Sequence, residues 1–230
     1  MNLPNAVTAG RIAVTPLVAW LPLAPSSALR FTAFALFIVA AVTDYVDGQL
    51  ARSRQQETDL GRLLDPLADK LLLLATFIPM FVLMRPSSRV DESWASRVLD
   101  DALPFHTPLG DVPLTWWVLV IVLGREAFMT IFRQAAARRG VVIAAIGPAK
   151  WKTAFQWIWV GSAYFWFFVV TQAVSRRWDA NSHFSQFASF IGIVGVIAMI
   201  GAVLLTLYSL ALYLRSYGRV FIGAPVRGRS

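Results

Sequence analysis

The sequence predicts an all-α polytopic membrane protein, with six transmembrane helices behind a short N-terminal interfacial helix. Three observations lead there. Of 230 residues, 57% are hydrophobic and only 15% charged, above the usual apolar share of a soluble domain. The apolar residues gather into runs matching the roughly 20 residues that a helix needs to cross a bilayer core about 30 Å thick. Lys and Arg collect in alternate connections between those runs. The net charge of +8 therefore reads as a topology signal, and no nucleic-acid partner is expected. With no cysteine, disulfides, thiol catalysis and Cys-ligated zinc are excluded. The two histidines, His106 and His183, stand in separate polar loops, so they do not suggest a histidine metal cage. We read them as surface residues.

The start of the chain, 1–10, has neither a basic n-region nor a small-residue cleavage site, so it is not read as a removable signal peptide. Asn5 or Thr8 is placed to cap the short interfacial helix. Six spans follow at roughly 11–26, 30–52, 62–84, 114–138, 150–173 and 189–214. The first holds Pro16, Pro22 and Pro25, which predict a kink or tilt. The last carries no charge from Phe190 through Leu214. Aromatic runs such as Trp157-Ile158-Trp159 and Phe165-Trp166-Phe167-Phe168 read as lipid-facing or interfacial. With no internal repeat or low-complexity segment, residues 1–230 read as one domain.

Counting basic residues fixes the expected orientation. One side receives Arg11, Arg52, Arg54, Arg62, Arg133, Arg138, Arg139, Lys150, Lys152, Arg215, Arg219, Arg227 and Arg229. The other receives Arg30, Arg85, Arg89, Arg97, Arg176 and Arg177, and its 85–113 loop is also acidic. The positive-inside rule then puts both termini and the two basic loops in the cytoplasm of an integral inner (plasma) membrane protein.

Against that apolar background stand four acids, Asp44, Asp47, Asp65 and Asp69, with Lys70 beside the last. A charge at mid-membrane costs on the order of 2.5–3.5 kcal/mol on insertion scales, so each one requires a reason. Asp44 and Asp47 are helical i,i+3 neighbours, and Asp65 and Asp69 are i,i+4 neighbours, so each pair shares a helix face. A short polar connection between spans two and three brings the pairs together near its end. Four carboxylates in a poorly hydrated pocket repel one another unless a cation neutralises them. Oxygen-only ligands favour hard divalent ions: Mg²⁺, Mn²⁺ or Ca²⁺. Pairing of the acids with Arg52, Arg54, Arg62 and Lys70 would leave two same-face pairs on consecutive helices unexplained. Gly48, Ala51 and Gly61 lie close by. Glycine inside a helix costs about 1 kcal/mol relative to Ala, which implies close approach of a backbone or ligand.

The pattern Asp44-x2-Asp47-Gly48-x2-Ala51-Arg52-x8-Gly61-x3-Asp65-x3-Asp69 resembles the signature of the CDP-alcohol phosphatidyltransferases at every fixed position. The resemblance implies a six-helix membrane enzyme, often homodimeric. Such an enzyme moves a phosphatidyl or related group from a CDP-linked donor to an alcohol and releases CMP. It further implies a divalent-metal site on Asp44, Asp47, Asp65 and Asp69, for which we expect two Mg²⁺ or Mn²⁺ ions. Asp69 would also take the proton of the attacking hydroxyl, and Gly48, Ala51, Arg52 and Gly61 would bind the CDP donor.

A second stretch, Gly124-Arg125-Glu126 through Arg133 and then Lys150-Trp151-Lys152-Thr153 with Gln156, resembles the branch of that family that makes phosphatidylglycerophosphate. So does the opening Asn2-Leu3-Pro4-Asn5-Ala6-Val7-Thr8 with Arg11. This resemblance implies CDP-diacylglycerol as donor and glycerol 3-phosphate as acceptor, in contact with membrane lipid. Arg suits a phosphate by bidentate donation and Lys by point charge, which marks Arg125, Arg133, Lys150 and Lys152 as acceptor-phosphate ligands. Gly147-Pro148-Ala149-Lys150 is longer than the expected link and leaves both Lys150 and Lys152 as candidates for the substrate-facing role. An internal pair of Arg125 with Glu126 is disfavoured, because adjacent helical residues do not face each other. Two other readings stay open: the same chemistry with inositol phosphate, serine or phosphatidylglycerol as acceptor, and a cation transporter with intramembrane Asp ligands.

Overall fold

The computed structural model describes residues 3–54, 59–86, 93–141, 143 and 148–218; of these, the side chains of 3–5, 45–54, 59–63, 65 and 148–150 lie outside the description. Helices α1 (Leu3–Trp20), α2 (Ser27–Arg54) and α3 (Asp59–Leu83) come first. A short helix α4 (Trp94–Leu99) and a hairpin of β1 (Phe105–Thr107) and β2 (Gly110–Val112) follow. The chain continues through α5 (Trp116–Ala137), α6 (Pro148–Ser175) and α7 (Ser182–Tyr217). Five helical segments are long and apolar enough to cross a membrane: Ala6–Leu23, Ser27–Asp44, Pro66–Leu83, Trp151–Ser175 and Ser182–Tyr217. The protein is thus all-α and polytopic. Helix α5 is 22 residues long but carries Arg125, Glu126 and Arg133, and it is not among the five. The expected separate interfacial helix is replaced by one continuous helix from Leu3.

Two units make up the chain: Met1–Leu114 with Trp159–Val196, and Thr115–Ile158 with Ile197–Ser230. In the first, α1 packs against α2 and α3. Its buried residues Thr8, Arg11, Thr15 and Val18 recur at helical spacing and form one face. The helix runs through Pro16 and gives way to a 3-10 turn at Leu21–Leu23.

Prolines leave a defined debt in this unit. Pro22 and Pro79 have no N–H, so the carbonyls four residues earlier, Val18 and Ala75, lose their usual helical donor. The buried Tyr164 hydroxyl lies 3.0 Å from the Val18 oxygen and 3.3 Å from the Ala75 oxygen. One side chain from α6 therefore serves carbonyls on α1 and α3.

That hydroxyl belongs to an aromatic run that the sequence reading placed toward lipid, and here the structure corrects it. Trp159, Tyr164, Trp166 and Phe167 are at most 1% exposed. Trp159 meets Phe77 edge-on at 4.9 Å, and the Trp166 indole donates to the Pro104 carbonyl at 3.0 Å. Large aromatics are good core material when a partner receives their polar atom. The outward apolar side chains are instead residues such as Phe31, Val39, Ile78 and Phe190, all exposed.

The polar connection after α3 has a fold of its own. Ser93 caps α4 by accepting from the Ser96 amide at 3.2 Å, as Ser does at helix starts. The hairpin pairs Phe105 with Val112, His106 with Asp111 and Thr107 with Gly110. It seats on α7 where Gly192 and Gly195 lie three residues apart. A Cβ at Gly192 would stand 1.8 Å from the His106 carbonyl oxygen, and one at Gly195 would stand 2.2 Å from the Phe105 ring. His106 is half-buried rather than on the surface, and its ring meets Trp94 edge-on at 4.9 Å. His183, at the start of α7, is exposed as expected.

In the second unit, Met129 and Phe132 of α5 form a buried cluster with Tyr213 of α7, with Ile143, Leu210 and Tyr217 packed against them. Gly201 on α7 admits the Phe155 ring, which a Cβ would meet at 2.4 Å.

Candidate active site

Arg11 is the centre of the acidic site in the first unit. Its side chain is only 3% exposed, and its Nη1 donates to Asp44 from α2 and, at 3.3 Å, to Asp69 from α3. Two carboxylates on successive helices therefore converge on one cation. The sequence reading counts Arg11 among the cytoplasmic basic residues and within the opening that carries the resemblance, and does not pair it with the acids. Asp47, Gly48, Ala51 and Arg52 fall within α2, and Gly61 and Asp65 within α3, but their surroundings lie outside the described residues. Among the described residues no three acidic or histidine side chains gather into a metal site. The chemistry of the two visible acids nonetheless suits a hard divalent ion, because both offer oxygen donors to a single positive centre.

A second charged cluster occupies the second unit, with the signs reversed. Glu126 on α5 accepts from Arg125 Nη1 at 3.0 Å and also from Lys152 Nζ of α6. Arg125 and Lys152 are both buried, and Arg125 Nη2 reaches the Ser209 hydroxyl of α7 at 3.1 Å. Arg133, one face further along α5 and exposed, donates to the Tyr213 hydroxyl at 3.2 Å. The Arg125 and Arg133 guanidinium groups lie 5.8 and 5.6 Å from the Tyr213 ring centroid, within cation–π range. Pairing of Arg125 with Glu126 corrects the argument from adjacency: long side chains turn toward each other here while a second cation, Lys152, anchors the acid. Lys150 begins α6, and its side chain lies outside the described residues.

With both clusters in view, comparison with known proteins gives the family of the chain. The sequence model of the CDP-alcohol phosphatidyltransferases matches residues 1–214. The chain belongs to that family. Among curated relatives, a probable phosphatidylglycerophosphate synthase of Mycobacterium tuberculosis is 34% identical over 163 residues, 70% of this chain and 64% of that protein. A Bacillus subtilis protein named CDP-diacylglycerol–glycerol-3-phosphate 3-phosphatidyltransferase is 32% identical over 66% of this chain and 70% of its own length. A CMP-forming cardiolipin synthase of Streptomyces coelicolor is 31% identical over 61% of this chain and 54% of its own. The chain thus spans less than two-thirds of the mycobacterial relative's length.

CDP-alcohol phosphatidyltransferases are generally metal-dependent, and in this member Asp44 and Asp69 both accept from Arg11. Three side chains have no partner role in the sequence reading: Arg11 as the bridge, and Ser209 and Tyr213 as receivers of the arginines; Glu126 is weighed there as a partner of Arg125 and set aside. Only Glu126 carried a signal, because an acid inside an apolar helix beside Arg125 needs a counter-charge. Ser209 and Tyr213 sit in a run without charge and are legible only from the packing.

Charge pairs away from these clusters are balanced differently. Arg30, 1% exposed, donates through Nε to the Pro22 carbonyl at 3.0 Å, through Nη2 to Asp101 at 2.7 Å, and through Nη1 to the Thr171 hydroxyl. Arg97 pairs with Asp111 at 2.9 Å and lies over the Trp94 ring at 4.8 Å. Arg30 binds the polar connection to the helices of the first unit, and Arg97 braces that connection from within.

Proposed function

We propose that the protein transfers the phosphatidyl group of CDP-diacylglycerol to sn-glycerol 3-phosphate, giving phosphatidylglycerophosphate and CMP. The observation that carries this reading is the convergence of Asp44 and Asp69 on one cation, at positions matching the family's motif. Asp44, Asp47, Asp65 and Asp69 would hold two Mg²⁺ or Mn²⁺ ions. Bound there, such ions would neutralise the diphosphate and stabilise CMP as leaving group.

In the step itself, the acceptor hydroxyl attacks the lipid-proximal phosphorus and the bond from that phosphorus to the CMP oxygen breaks. Asp69 accepts the hydroxyl proton. Gly48, Ala51, Arg52 and Gly61 receive the nucleotide end of the donor. Arg125, Arg133, Lys152 and Lys150 take the acceptor phosphate, for which the paired donors of arginine are well shaped. Burial of Arg125 and Lys152 beside Glu126 supports this role, since it fixes their donors before a ligand arrives.

We place the enzyme in the inner (plasma) membrane as one domain over 1–230, with α5 as a sixth span, both termini and the site cytoplasmic, and a homodimeric assembly. A second acceptor deserves testing because a relative is named cardiolipin synthase: phosphatidylglycerol.

The test is CMP release from CDP-diacylglycerol by the purified protein in detergent, with and without glycerol 3-phosphate, Mg²⁺ and Mn²⁺, beside Asp69→Asn. Release requiring both metal and glycerol 3-phosphate, and lost in Asp69→Asn, is the expected result. Release only with phosphatidylglycerol moves the acceptor. No release with any alcohol from folded protein overturns the reading.

A further inference from the structure

The chemistry above leaves Arg11 without a role, although its side chain is more deeply buried than those of the two acids it touches. We propose that Arg11 is a resident counter-cation of the acidic site: it holds Asp44 and Asp69 together when no divalent ion is bound, and competes with that ion for their oxygens. The inference rests on the metal-site reading and assigns the residue that opposes metal entry.

The argument begins with the placement of Arg11. It lies on the buried face of α1 with Thr8, Thr15 and Val18, and its own carbonyl accepts from the Thr15 hydroxyl at 2.8 Å. The guanidinium is thus delivered to α2 and α3 by a helix packed on both. Its Nη1 is the atom that Asp44 and Asp69 share. Two carboxylates brought that close repel unless a positive charge stands between them. A guanidinium does not lose its proton in a protein, so this cation is removed from the acids only by movement.

A divalent ion offers the same oxygens twice the charge and carries the same sign as the arginine. The two cations therefore oppose each other at one pair of carboxylates. By linkage, whatever Arg11 contributes to the metal-free protein is subtracted from metal affinity. Arg11 is in this sense a positioning residue, acting through Asp44 and Asp69.

The experiment uses the full-length protein in detergent as wild type, Arg11→Gln and Arg11→Lys. Mn²⁺ binding is titrated by the paramagnetic resonance signal of the free ion, and thermal unfolding is followed with and without saturating Mn²⁺. Arg11→Gln is expected to bind Mn²⁺ about fivefold tighter or more. It should melt below wild type without Mn²⁺, with the gap narrowing when Mn²⁺ saturates. Equal or weaker Mn²⁺ affinity, or a melting gap unchanged by Mn²⁺, overturns the proposal and leaves Arg11 a plain structural residue. If Arg11→Gln does not fold, Arg11→Lys must still bind Mn²⁺ more tightly than wild type, because its ammonium ends one bond short of the Nη1 position that both acids share; unchanged affinity again overturns it. Wild type that binds no Mn²⁺ at all refutes the metal site itself, a result distinct from normal binding unaffected by the variants.

Discussion

The two charged clusters of this protein are inverse in composition. In the first unit, one buried arginine is shared by two carboxylates, Asp44 and Asp69. In the second, one carboxylate, Glu126, is shared by two buried cations, Arg125 and Lys152. Both arrangements differ from Arg30, whose guanidinium spreads over one acid, one hydroxyl and one carbonyl. Desolvating a charge is expensive, so a purely structural pair tends toward mutual satisfaction, as at Arg30. Counted over the described residues, a two-to-one grouping keeps surplus charge of one sign near a polar centre, and that is what a ligand of the opposite sign can use. The acidic grouping suits a cation and the basic one suits a phosphate.

The comparison breaks most visibly at Asp69. On the proposed reading Asp69→Asn removes both a metal oxygen and the proton acceptor, so CMP release should fall by about 10²–10⁴-fold, the range of a lost general base. A variant retaining a tenth of wild-type turnover would show that Asp69 is not that base.

On the basic side, Lys152→Met removes one cation and leaves Glu126 to Arg125. A charged hydrogen bond is worth roughly 1.5–3 kcal/mol, which predicts a KM for glycerol 3-phosphate raised by about 10- to 100-fold, with a smaller change in kcat. Steady-state kinetics at varied acceptor concentration decide it; an unmoved KM would place the acceptor phosphate elsewhere.

The contrast with Arg30 is sharpened by stability. Arg30→Met strands Asp101 and the Pro22 carbonyl, and should cost about 3 kcal/mol in detergent unfolding while leaving the KM values near wild type. A raised KM with unchanged melting would move Arg30 into the functional class. Smaller again is Tyr164→Phe, which deprives the Val18 and Ala75 carbonyls of their only side-chain donor seen here. A loss of about 1–2 kcal/mol is expected. No loss would mean that the two proline-orphaned carbonyls are satisfied otherwise.

Much of this was legible in one dimension. Apolar run length gave α2, α3, α5 and α6 to within about three residues, since a bilayer-spanning helix needs a fixed number of apolar residues; α1 and α7 start well before their apolar runs, and the short α4 carries no such run. Acid spacing marked Asp44 and Asp69 as members of same-face pairs, because helical period is a local property. The aromatic run of α6 misled for the same reason: period and composition report how apolar a face is, and not whether lipid or another helix covers it. Trp159 and Trp166 are core residues because α3 and the hairpin connection reach them.

By itself, then, the sequence determined an all-α membrane protein and the residue types of two charged clusters. Tertiary structure alone decided which charges meet. Arg11 lies 33 residues from Asp44 and 58 from Asp69, Arg125 lies 84 from Ser209, and Tyr164 lies 146 from Val18. Electrostatic and hydrogen-bond energies depend on separations in space of a few ångströms, and no periodicity along a helix encodes distances between helices.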